Sequence, residues 1–116
     1  MSIESLVGEL SHDPFNPELN FACAQEYQAL NQSASAVSFY LRAAEYGHEK
    51  HLLITYTSLI KVAQCFEFMN DRQVTVSNCL LQAIAYLPQR AEAYFFMSQF
   101  HEKNQQWQEA YTFASL

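Results

Sequence analysis

His48, Glu49 and His51 stand close together in "GHEKH", and three cysteines, Cys23, Cys65 and Cys79, are spread along the chain. Imidazoles beside a carboxylate could bind a metal, but a closed site needs further ligands in suitable geometry. "GHEKH" therefore reads as an exposed connection between helices. The cysteines are odd in number, have no CxxC spacing and lie near no Lys or Arg cluster that would lower a thiol pKa. They read as buried free thiols acting as small apolar residues, with a disulfide or thiol chemistry as the alternative. No Gly-rich phosphate loop or nucleophile elbow is present, and a Cys–His catalytic pair has no support. The expectation is a non-catalytic protein with no metal and no cofactor.

The elements that position these residues follow from composition and periodicity. Of 116 residues, 50% are apolar, 15% aromatic and 16% charged, which is the balance of one packed domain spanning residues 1–116. Two Gly and three Pro leave little room for a turn-rich β fold, so an all-α chain is expected. The net charge of −6 and six scattered Lys and Arg give no electrostatic footprint for nucleic acid or an anionic membrane. No apolar run approaches the roughly 18 residues of a membrane span. "MSIESLVGELSHD" lacks the basic and apolar regions of a secretion signal, so a cytoplasmic location is expected.

Ile3, Leu6, Val7 and Leu10 fall at helical spacing and predict a short helix that ends near "SHDPFNP". Pro17 suits a first helical position, and "PELNFACAQEYQAL" carries Ala24, Tyr27 and Leu30 on one face. After "NQS", "ASAVSFYLRAAEYG" places Ala36, Tyr40 and Ala43 inward, with Gly47 as a stop. A longer helix from near His51 carries Leu59, Val62, Ala63, Phe66 and Met69 as far as "NDR". "QVTVSNCLLQAIAYL" is rich in β-branched residues, yet Val76, Leu80, Ala83, Ile84 and Leu87 keep helical spacing, and Pro88 closes the segment. A helix over 89–103, the turn "NQQ" and a last helix from Trp107 complete the prediction. The short turns imply antiparallel pairs: one helix followed by three hairpins, over about 17–50, 51–88 and 89–116.

These hairpins resemble the tetratricopeptide repeat, a helical pair of about 34 residues with small and large residues at fixed positions. The matching residues are Ala24, Tyr27, Ala36, Tyr40 and Ala43 in the first unit. In the second they are Leu59, Ala63, Phe66, Val76, Leu80, Ala83 and Pro88. In the third they are Tyr94, Ser98, His101, Trp107 and Ala110. Asn20 stands where the family has a large residue, His101 replaces an aromatic, and Ala114 occupies a usually larger position. The last unit stops one residue short of the family's final Ala, which reads as a truncation or an interface.

The resemblance implies a right-handed superhelix that binds a protein or peptide on its concave face. Its groove positions map onto Phe21, Gln25, Gln28, Ile60, Gln64, Phe68, Phe95, Gln99 and Glu102, together with Glu67 and Lys103 among others. Gln25, Gln64 and Gln99 share one position and could form an amide ladder for an extended backbone. The cationic clamp with which chaperone-binding members hold a terminal carboxylate is replaced by Phe21, Gln25, Glu92 and Phe96. Two further readings stand beside a binding module. Residues 90–116 resemble the repeat region attached to some glycosyltransferases, which implies an accessory region of a larger enzyme. Trp107, Tyr111 and Phe113 could instead form an end interface that joins two copies into a homo-oligomer.

Overall fold

The computed structural model describes the backbone of residues 2–69 and 73–115, and the side chains of residues 2–69 and 74–103. Among the described residues the chain forms six α-helices and no strand: α1 (Ile3–His12), α2 (Pro17–Ala29), α3 (Ser33–Gly47), α4 (Leu52–Phe68), α5 (Gln73–Tyr86) and α6 (Glu92–Ser115). No helix among the described residues is long and apolar enough to cross a membrane.

The boundaries of the first two helices have local causes. Ser2 caps α1 by accepting from the Ser5 N–H at 3.2 Å. Asn16 caps α2 by accepting from the Leu19 N–H at 3.0 Å, directly before Pro17 in the first turn. α2 ends when Asn31 enters the left-handed region at φ 60. The Asn31 N–H then donates to the Gln28 carbonyl and the Gln32 N–H to the Tyr27 carbonyl, at 3.0 and 2.9 Å. This pair of bonds satisfies carbonyls that the last turn would otherwise leave open. Asn20, the departure from the repeat pattern, is fully buried and donates from Nδ2 to the carbonyls of Pro14 and Asn16 at 3.1 and 2.8 Å. Its amide fastens the α1–α2 connection where a large apolar side chain would only fill space.

Successive helices pack side by side, and α2 also touches α4. With connections this short the neighbours run antiparallel. The molecule measures 59 × 31 × 17 Å, and its thickness fits two layers of helices about 10 Å across. Its radius of gyration is 16.0 Å, against about 13 Å for a rounded domain of this length. The core runs continuously through Ala24, Ala36, Tyr40, Tyr56, Leu59, Val62, Ala63, Val76, Leu80, Ala83 and Phe100. Small residues let the helices close in, and aromatic and branched residues fill the space between hairpins.

Gly47 acts differently from the expected stop. It is buried as the last residue of α3, its φ is not positive, and a Cβ there would lie 2.9 Å from Thr55 Oγ1. The missing side chain allows α3 and α4 to approach, and Thr55 Oγ1 uses the space to donate to the Ala44 carbonyl at 2.8 Å.

The third unit departs from expectation. No turn forms at "NQQ"; α6 continues through it as one 24-residue helix. Its range contains no Gly or Pro, and Gln is an ordinary helix former, so nothing local stops it. The buried stripe of α6 lies one residue upstream of the repeat register. Ala93 and Phe100 are buried, with Phe96 and Met97 against the core, while Tyr94, Ser98 and His101 are exposed. The proposed end interface of Trp107, Tyr111 and Phe113 lies outside the described side chains.

Candidate functional site

An open groove of about 520 Å³ crosses α2, α4 and α6. Gln28 and Asn31 come from α2 and its turn, with Ser33 from the start of α3; Gln64, Cys65, Glu67 and Phe68 come from α4, and Phe96, Gln99 and Lys103 from α6. The volume lies within the roughly 300–1,000 Å³ typical of ligand clefts. The wall combines neutral hydrogen-bonding groups and two aromatic rings with one ion pair, Glu67 and Lys103. Phe68 is 80% exposed at the end of a helix whose Leu59, Val62 and Ala63 are buried, so its ring has no core role.

Gln28 is fixed from below. The buried Tyr40 hydroxyl donates to Gln28 Oε1 at 2.6 Å. Burial pushes the Tyr40 phenol well above its ordinary value, so it stays protonated and remains the donor. With its oxygen engaged, the Gln28 amide offers its N–H₂ group to an acceptor. At the rim, Lys103 Nζ on α6 stands 3.8 Å from Glu67 Oε1 on α4.

The opposite end of α6 is also tied to α4. Ala91, whose carbonyl accepts from the Phe95 N–H, has no side-chain oxygen to cap the helix. Tyr56 supplies one: its hydroxyl accepts from the buried Ala93 N–H at 2.9 Å and donates to Glu92 Oε2 at 3.2 Å. Arg90 Nη2 donates to Glu92 Oε1 at 2.9 Å, and the guanidinium carbon Cζ lies 5.9 Å from the centre of the Tyr56 ring. The Glu92 carboxyl is held below its ordinary value by its own backbone N–H and then by Arg90.

The structure thus brings together Gln28, Gln64, Phe68 and Gln99 of the sequence-predicted set, along with Glu67 and Lys103. The other members lie elsewhere. Gln25 is exposed outside the groove lining, so Gln28 takes its place beside Gln64 and Gln99. Phe21 is partly buried with its ring edge-on to Tyr40 at 5.4 Å. Ile60 is 5% exposed and belongs to the core, which corrects its placement on the groove face. Phe95 is exposed outside the lining, where Phe96 borders the groove instead, and Glu102 is exposed outside the lining as well. Asn31 was missed because it sits in a turn, where helical register assigns no face, and Ser33 because it opens α3, a helix to which the repeat pattern gives no groove position.

The residues with potential chemistry are dispersed. His48 faces Glu49 at 3.7 Å, while His51 faces Glu18 at 3.4 Å. Among the described residues no cluster of three or more His, Cys, Asp or Glu is placed to hold a metal. All three thiols are buried, and burial raises their pKa. Cys65 borders the groove without the thiolate character that nucleophilic work needs. No protein-family model matches the chain, and no curated protein matches it.

Proposed function

We propose that the chain is a non-catalytic interaction module of the tetratricopeptide type, a right-handed superhelix that takes a segment of polypeptide in the groove across α2, α4 and α6. The observation that carries this reading is the groove itself. One exposed ring, Phe68, and a set of amides on three different helices converge on a single open cleft. Apolar anchors with a few placed polar groups are the usual recipe for binding, since the anchor supplies affinity and the amides fix orientation. The contact between α2 and α4 across the intervening α3 also follows from stacked hairpins.

The test is selection of a random-peptide display library on the purified chain, followed by binding of the selected peptides to Phe68→Ala. The expected result is saturable binding to the wild type and at least about a tenfold loss in the variant, whose stability stays within about 0.5 kcal/mol. Equal binding by the variant overturns groove recognition. Sedimentation at rising concentration tests the reading as a self-association module. A constant monomer mass is expected, whereas a dimer that disappears with substitutions in residues 107–113 favours pairing of copies.

A further inference from the structure

We infer that the Glu67–Lys103 pair is a charge filter, so that the groove admits an internal, uncharged segment of polypeptide and turns away charged segments and chain termini. This rests on the groove reading above and names what the groove selects.

The inference starts from how the groove's own charges are arranged. Glu67 on α4 and Lys103 on α6 both line the cleft, and their charged atoms stand 3.8 Å apart. Each thus has a partner already, and the pair presents no net charge to an incoming chain. The remaining polar lining, such as Gln28, Gln64 and Gln99, is neutral. A carboxylate or ammonium entering the cleft gives up water and meets either neutral amides or a charge already engaged. It must displace one partner and leave the other facing a like charge, which is unfavourable. A backbone peptide group faces no such obstacle. The Gln28 amide, with its oxygen engaged by Tyr40, offers donors suited to a backbone carbonyl. An apolar side chain of the same segment can cover Phe68 and Phe96.

The pair is only partly covered, with side-chain exposures of 51% for Lys103 and 35% for Glu67. Either member can therefore be neutralised without unfolding the chain. Glu67→Gln leaves Lys103 as an unpaired cation, and Lys103→Gln leaves Glu67 as an unpaired anion. The two variants should shift selectivity in opposite directions, which a purely structural role does not do.

The experiment uses two display libraries, one with random segments flanked on both sides by fixed linkers and one with random free C-termini. Wild type, Glu67→Gln, Lys103→Gln and Phe68→Ala are compared after thermal melts confirm folding. On the wild type, the flanked library should yield segments poor in Asp, Glu, Lys and Arg that contain an apolar residue, and the C-terminal library should yield none. Glu67→Gln should favour acidic segments by about twofold to fivefold, and Lys103→Gln should favour basic ones to a similar extent. Loss of binding in Phe68→Ala without opposite shifts in the charge variants overturns the filter and leaves the groove reading intact. Wild-type preference for charged segments or carboxyl termini does the same. Unchanged binding to Phe68→Ala, or no enrichment on the wild type, overturns both.

Discussion

Replacing Tyr56 with Phe removes one oxygen from a buried ring and tests how α6 is joined to the rest of the molecule. The hydroxyl accepts from the Ala93 N–H at 2.9 Å and donates to Glu92 Oε2 at 3.2 Å. Ala93 lies in the first helical turn, where an N–H has no partner within the helix, and it is fully buried, so water does not replace the lost acceptor. An orphaned buried donor costs about 1–3 kcal/mol, whereas the ring keeps its packing. The carboxylate of Glu92 retains Arg90 and adds little to the loss. The expected destabilisation is about 2 kcal/mol, read as a lower urea midpoint with unchanged slope. For a chain of this length that corresponds to a melting point lower by about 8 °C. Hydrogen exchange should localise the effect, with protection falling first along residues 92–103 and least in α2 and α3. A variant within about 0.5 kcal/mol of the wild type refutes the view that Tyr56 caps α6 across the helix interface.

Gly47→Ala should lower stability by about 1 kcal/mol, because overpacking against Thr55 Oγ1 outweighs the gain in helix propensity. Gly8→Ala meets nothing within 4 Å and should raise stability by about 0.5–1 kcal/mol, so urea midpoints of opposite sign check both. Asn20→Ala removes the bonds to the Pro14 and Asn16 carbonyls and should cost about 2 kcal/mol, with exchange protection lost mainly across residues 3–16. The folded Glu92 carboxyl lies below its ordinary value, so its contribution is present near neutral pH and is lost as pH falls through the folded value. Glu92→Gln should therefore be less stable than the wild type near neutral pH, and the two urea midpoints should converge in acid. Because burial raises all three thiols, a thiol reagent near neutral pH should modify the native chain slowly and the urea-unfolded chain rapidly.

The interior of the two hairpins was legible in the sequence because burial repeats with the helix. Ala24, Tyr40, Leu59, Ala63, Val76, Leu80 and Ala83 are inside where spacing put them. What escaped were interactions carried by single polar atoms between distant residues. Asn20 looked like a defect in the pattern, yet its amide holds the first connection. Tyr56 is not among the residues that match the repeat, yet its hydroxyl serves a helix whose first buried N–H lies 37 residues away. Gly47 looked like a punctuation mark, but its value lies in what Thr55 does with the space. Periodicity records which face a residue occupies and says nothing about the partner opposite.

The groove depends on the one place where two helical registers competed. In α6 the repeat pattern favoured Tyr94, Ser98 and His101 inward, whereas the structure buries Ala93, Phe96, Met97 and Phe100 to different degrees. Burying Phe100 gains about 2–3 kcal/mol of apolar transfer, while burying His101 requires partners for its ring nitrogens. The apolar register therefore wins, and a shift of one residue turns the helix by about 100°. At the cleft the lining takes Phe96 rather than Phe95 and leaves Glu102 outside, while Gln99 and Lys103 stay at the positions the repeat pattern gave them, so the lining does not follow the shift of the buried stripe residue for residue. Phe96 packs against the core and also borders the cleft, so in α6 core packing selects which aromatic ring the groove presents, while the polar positions three and seven residues further on keep the face that helical spacing gave them.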